Sequence, residues 1–365
     1  MKSFRKTIAL ILALTMSVGM LTACGASSAP APASEAGTQS SKADAKKETK
    51  KIAMICDPVG TNPFLTQIVD KLEEMKKSGE YPIEYSVIEC ADTTAWSENV
   101  RASVEENYDM IMAVGYACAD PLKEVATQFP DKAQYVCIDT VCDSPNVKSY
   151  IFKPEEGAFL IGAVAALVSA DLGAPKGPFG GVHVNPGPGS FEWRYGYMQG
   201  ARTVNPEIQL DDFVFNYTKS FTDAPLAKEL ALQQAAKGCK FINAAAAVAD
   251  FGTFEAAKEK GFYTSGQDSD RTDPNNEFII TTQVKYTGIV AENAVKEMFE
   301  TGINPGVVTL GLADGVVGAT YITDDGINPR NPVLTDAIVE QVRGYADQIR
   351  SGKIVLTVPA EEEYK

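Results

Sequence analysis

The sequence predicts an α/β fold of two doubly wound units facing one another across a cleft, and three observations predict it. From Lys51 onward, short apolar runs alternate with longer amphipathic stretches. The same grammar restarts after Tyr150. The folded part is too long for one ordinary compact domain and long enough for two.

In the first unit Ile52–Cys56 reads as a buried strand stopped by Asp57. Asn62 is a strong N-cap and Pro63 fits the first helical position. Phe64, Leu65, Ile68, Val69, Leu72 and Met75 then recur at helical spacing. Strands are expected at Tyr85–Ile88, Met110–Gly115 and Tyr135–Asp139, with helices near Trp96–Glu106 and Pro121–Gln128. In the second unit Glu155–Ala170 is a long Ala-rich helix. Strands are expected at Phe179–Val184, Phe213–Phe215, Phe241–Ala246, Phe262–Ser265 and Phe278–Val284. Helices fill Phe191–Val204, Asp223–Lys237, Phe254–Lys260 and Lys285–Glu300. Val307–Leu312 and Val316–Tyr321 read as strands, and a last helix runs from Thr335 to Arg350.

The N-terminus has a different character. Lys2, Arg5 and Lys6 precede an apolar run from Ile8 to Met20, the pattern of a secretory signal over 1–23. The run is too short for a good membrane span. Leu21-Thr22-Ala23-Cys24 resembles a bacterial lipobox, which implies a lipid on Cys24 that holds the domain at the extracytoplasmic face of the cell membrane. Residues 24–50 are rich in Ala, Ser, Pro and charge without apolar periodicity, so a flexible tether is expected.

Net charge is −15, and loss of the signal's three cations takes it to −18. No basic stripe is present, which excludes nucleic-acid backbone binding as a function class. Six cysteines follow Cys24, with no CxxC pair and His183 as the only histidine, so neither a zinc site nor another metal or cofactor site is expected. Reduced structural thiols are expected, with Cys137 and Cys142 as the close pair.

Ligands of doubly wound sheets sit beyond the carboxyl ends of the strands. Asp57, Gly115, Tyr116 and Asp139 lie there in the first unit, with Asn62 and Phe64 in the turn and helix start. Asn185, Phe251, Gly252, Asp268, Asp270 and Lys285 lie there in the second. Carboxylates, amides, aromatic rings and one lysine match a flat, neutral, hydroxyl-bearing ligand. A carboxylate accepts two hydrogen bonds from a vicinal diol, and a ring stacks on a planar base. His183 reads as a core histidine, and Trp193 and Tyr195 as helix-face packing.

From Lys51 to Thr357 the chain resembles the basic membrane protein lipoproteins, the PnrA-like substrate-binding proteins of ABC transporters. The stretches that carry this are Glu155-Glu156-Gly157-Ala158-Phe159-Leu160-Ile161-Gly162, Phe254–Gly261, Gly266-Gln267-Asp268-Ser269-Asp270 and the Val284-Lys285 step. Phe221-Thr222-Asp223 with Lys228-Glu229-Leu230-Ala231 is similar too. The resemblance implies a type I periplasmic-binding-protein fold with three crossings between lobes: 51–153 and 286–318 in one, 154–285 and 319–365 in the other. It implies capture of a nucleoside, often purine, by a monomer that serves a permease and its ATPase. Phe64 and Phe251 would be the two rings on the base. Asp139, Asp268 and Lys285 would hold sugar or base edges, Asp57 and Asn62 would line the first wall, and Gly115 would admit close backbone approach. Two departures stand out: Asn62-Pro63-Phe64-Leu65 replaces the family's Asp-x-Ser-Phe-Asn turn, and Ala246–Asp250 replaces a Gly-Gly-Thr-Gly run.

Two other readings stay open at this level. The same fold binds sugars and signalling molecules. A carboxylate-based nucleoside hydrolase is the third, although no Walker motif, G-x-S-x-G elbow or Cys–His pair is present, and the expectation is a binding protein without catalysis.

Overall fold

The computed structural model describes residues 48–364. The expected signal segment, the lipidation of Cys24 and most of the expected tether lie outside the described residues.

The strands in chain order are β1 (Lys50–Cys56), β2 (Ile83–Glu89), β3 (Met110–Val114), β4 (Gln134–Ile138), β5 (Val147–Phe152), β6 (Phe179–His183), β7 (Phe213–Tyr217), β8 (Phe241–Ala245), β9 (Tyr263–Asp268), β10 (Ile279–Lys285), β11 (Gly306–Leu310) and β12 (Val317–Ala319). The helices are α1 (Pro63–Ser78), α2 (Thr93–Glu105), α3 (Ala119–Gln128), α4 (Pro154–Asp171), α5 (Pro188–Val204), α6 (Ala224–Ala236), α7 (Asp250–Lys260), α8 (Thr287–Glu300) and α9 (Asp336–Arg350).

Two six-stranded sheets result, ordered β11-β5-β4-β3-β1-β2 and β12-β10-β9-β8-β6-β7. The first is parallel throughout; in the second only β12 runs antiparallel, against β10. The two orders correspond position by position, with β4 matching β9 and β3 matching β8. The chain passes between the sheets at β5 to α4, at β10 to α8 and between β11 and β12.

Local chemistry explains the elements. Every residue of β3 and β8 is buried, as helices on both faces of a parallel sheet require. The Asn62 side chain accepts the Phe64 N–H to start α1, and Gly79 ends it at φ 68°. Leu65, Ile68, Leu72 and Met75 bury one α1 face against the first sheet and α8. Helix α4 is buried nearly all round, because the second sheet, α5 and α9 enclose it. Its contact with α5 is backbone to backbone. A Cβ on Gly162 would stand 1.9 Å from the Tyr197 carbonyl oxygen, and one on Gly200 1.9 Å from that of Phe159.

Several expectations need correction. Strand β5 was not anticipated, since Val147–Phe152 includes Lys148 and follows a polar stretch. Helix α7 begins at Asp250, so Phe251 lies in its first turn and not in a loop. Lys285 closes β10 and the next helix starts at Thr287. The strand expected to Tyr321 is cut to Val317–Ala319 by a turn at Tyr321, φ 69°. All six described cysteines are free and buried. The close pair is Cys118 and Cys137, with Sγ atoms 3.4 Å apart, in place of Cys137 and Cys142.

Candidate functional site

Matching strand order puts Asp139, just after β4, in the position that Asp268 occupies at the end of β9. Both have left-handed backbone, φ 78° and 71°. Aspartate tolerates that region better than most residues. A single 3-10 turn follows both β3 and β8, with positive φ at Gly115 (112°), just before the first turn, and at Ala247 (56°), the first residue of the second.

Lys285 ties the two halves together. Its Nζ donates to Asp139 Oδ1 at 2.7 Å. The ammonium also lies 5.1 Å from the ring centre of Phe152, 5.3 Å from Trp193 and 5.5 Å from Phe64. Burial works to lower its pKa, but the Asp139 and Asp268 carboxylates outweigh that and hold it above the usual lysine range. Asp268 is pushed up to about 6, first by burial and then by Asp139, against the pull of Lys285. Glu192 is raised by burial and by Asp139, with Lys285 opposing. One ammonium therefore serves a cluster of three carboxylates beside aromatic faces.

The N-terminal turn of α1 is stitched to this cluster. Gln67 Nε2 donates to the carbonyls of Asp268 at 3.2 Å and Lys285 at 3.1 Å. Thr287 Oγ1 donates to the Phe64 carbonyl at 2.7 Å. These bonds fix Phe64, whose half-buried ring meets Lys285.

The remaining candidates are distributed around that centre. Phe251 is 45% exposed and carries the Arg271 guanidinium 4.7 Å from its ring centre. Tyr116 is exposed, and its ring lies 6.4 Å from that of Phe221, reaching from the turn after β3 to the loop after β7. Asn62 is occupied as the α1 cap. Asp57 is exposed; partial burial of its carboxyl raises its pKa while a hydrogen bond from Trp96 lowers it. Asp250, beside Phe251, is fully buried; Oδ1 accepts the Ala246 N–H at 2.7 Å and holds the turn after β8. Burial pushes Asp250 up to about 7.

Sequence reasoning missed Glu192 and Trp193 at this cluster and Arg271 beside Phe251. Their only early signal is position: the helix after β6 and the loop after β9. A cavity of about 530 Å³ lies elsewhere, between α5 and the C-terminal segment, lined by Phe191, Arg194, Phe215, Tyr217 and Tyr364 among others. Arg194 already occupies its aromatic wall and pairs with Glu361, so the strand-end cluster, and not this cavity, is the candidate site.

A family model described as "ABC transporter substrate-binding protein PnrA-like" matches residues 49–359. The chain belongs to that family. It is 31% identical to Basic membrane protein B of Borreliella burgdorferi over 285 residues, 73% of this chain and 80% of that one. It is 25% identical to the CD4+ T-cell-stimulating antigen of Listeria innocua over 374 residues, 96% of this chain and 98% of the other. Among solved structures, a solute-binding protein of an ABC transporter system from Aeropyrum pernix superposes with a TM-score of 0.73 at 22% identity, covering 86% of this chain and 95% of that one. That likeness bears on the fold, which is the periplasmic-binding-protein architecture. As a family member the chain is an ABC transporter substrate-binding protein, a class that works outside the cytoplasm with a small-molecule ligand and transporter components. Among the described residues no helix is long and apolar enough to cross a membrane.

Proposed function

We propose that this substrate-binding protein captures a nucleoside between its two lobes, by hinge closure and without catalysis. The observation that carries the reading is Lys285 held between the equivalent Asp139 and Asp268 beside the rings of Phe64 and Trp193. Carboxylates accept from ribose hydroxyls, and the ammonium donates to a hydroxyl or ring oxygen. Phe64 and Phe251 stack on the base. Asp57, Asn62, Gly115 and Tyr116 line the first wall. Ligand contacts to both lobes exist only in the closed form, so binding shifts the hinge equilibrium toward it. A permease and its ATPase then take the closed form, and a lipid on Cys24 keeps the protein, as a monomer, at the cell membrane.

The test is a thermal-shift screen of nucleosides, free bases, pentoses and hexoses. A ligand that binds only the native state raises the melting temperature by mass action. Shifts from nucleosides alone support the proposal; shifts from sugars alone would replace it with the sugar reading. Free base released from bound inosine on prolonged incubation would show catalysis and overturn the non-enzymatic reading.

A further inference from the structure

Among the described residues, Arg271 is a cation whose charge is balanced but whose tip makes no hydrogen bond. Both terminal nitrogens of its guanidinium are buried, and neither has a hydrogen-bond partner. Its carbon Cζ lies 4.7 Å from the ring centre of Phe251 and 5.2 Å from that of Phe254. The neighbouring carboxylates do not bond it. Asp250 Oδ1 is committed to the Ala246 N–H, and its Oδ2 is itself unpartnered. Asp250 and Asp268 both feel the guanidinium through charge and do not bond it. The arginine is nevertheless held firmly: its main-chain N–H donates to Thr282 Oγ1 at 3.0 Å. Gly266 makes room for it, since a Cβ there would stand 2.5 Å from both Cβ and Cγ of Arg271.

A buried charged donor without an acceptor is costly, and guanidinium is never neutral in a protein. A fork of donors held against the Phe251 ring, next to Asp250 and Asp268, keeps its hydrogen-bonding capacity for an acceptor that the ligand brings. We infer that Arg271 reads the edge of the bound base and makes this protein selective for 6-oxopurine nucleosides over adenosine, an inference that rests on the nucleoside reading. A 6-oxopurine presents a carbonyl oxygen and a ring nitrogen side by side, two acceptors that match the arginine fork. Adenine presents an amino donor in place of the oxygen, which sets donor against donor and leaves one buried N–H unpaired. Arg271 is then a specificity residue that touches the base, while Asp139, Asp268 and Lys285 treat all ribonucleosides alike.

Calorimetric titration of the full chain with inosine, guanosine and adenosine tests this, on the wild type and on R271Q and R271K. The wild type should bind inosine and guanosine at least about tenfold more tightly than adenosine, the scale of one bidentate base contact. R271Q should bring the three within about threefold of one another, and R271K, which keeps the charge but loses the fork, should fall between. Equal wild-type affinities would overturn the role of Arg271 and leave nucleoside capture intact, whether or not the variants fold. A preference that persists in folded R271Q would do the same. Failure of all three to bind the wild type would overturn the role of Arg271, and failure of uridine and cytidine as well would remove the nucleoside reading with it.

Discussion

Lys285 Nζ and Asp139 Oδ1 meet at 2.7 Å, joining the end of β10 in one sheet to the end of β4 in the other. The lysine side chain is 9% exposed and the aspartate 27%, so water screens the pair only in part. Asp268 approaches the same ammonium from its own sheet, which leaves Lys285 as the cation common to equivalent carboxylates of the two halves. Removing it would leave like charges facing each other.

Lys285→Met should therefore weaken nucleoside binding by at least about a hundredfold, the scale of a buried charge partner lost at an interface. It should also lower stability by roughly 1–3 kcal/mol, less than for a fully buried pair because Asp139 retains some water. Titration calorimetry and urea melts check both numbers. A variant that binds as the wild type does would remove Lys285 from the site.

The pH response has a definite sign. Asp268 has an ordinary carboxyl near 3.8 when unfolded and about 6 in the folded chain. Its folded-state pKa is raised, so the stability it contributes is full below the unfolded value and is lost as pH climbs through about 6. On the proposed nucleoside reading, ligand binding should run the other way, since ribose hydroxyls would donate to the ionised carboxylate. Affinity should rise between about pH 5 and pH 7 and flatten in Asp268→Asn. Affinity measured across that range in both proteins checks it.

The two rings should separate by stability. Phe251→Ala should cost affinity by about 1–3 kcal/mol, the scale of one stacked base, with little change in melting temperature because the ring is 45% exposed. Phe64→Ala should cost a similar affinity and also some stability, as its half-buried ring packs against the first core. Unchanged affinity in both would rule out stacking on these residues.

Gly200→Ala should destabilise the fold by about 1–3 kcal/mol or more, because the new methyl would meet the Phe159 carbonyl oxygen and rigid backbone has no cheap escape. Chemical denaturation reads the loss directly. Wild-type stability would mean that α4 and α5 can part without cost.

Much of this architecture was legible in the residues, for physical reasons. Strand β3 is a continuous apolar run, β1 is one from Ile52 on, and β8 is broken only by Asn243, because helices cover both faces of a parallel sheet. The strand-end rule pointed at Asp139, Asp268 and Lys285, which the fold gathers into one network. Strand β5 escaped because Lys148, which pairs with Glu297 at 2.6 Å, interrupts its apolar pattern. The start of α7 escaped because Asp250, its first residue, is buried and bonded back to the Ala246 N–H, where polarity normally signals a loop. Trp193, Glu192 and Arg271 escaped for a further reason. Whether such side chains face core, solvent or cleft depends on which strands become neighbours, and spacing along the chain does not encode that.

The glycine seam between α4 and α5 bears on how the proposed closure would be transmitted. Helix α4 begins where the chain leaves the first sheet, at Pro154, and α5 carries Glu192 and Trp193 to the ammonium of Lys285. At Gly162, Gly196 and Gly200 no side chain separates the two backbones, so the helices are locked together as a stiff pair. Under the proposed closure, in which the chain turns at all three crossings, the indole and the carboxylate travel with α4 and α5 as one body.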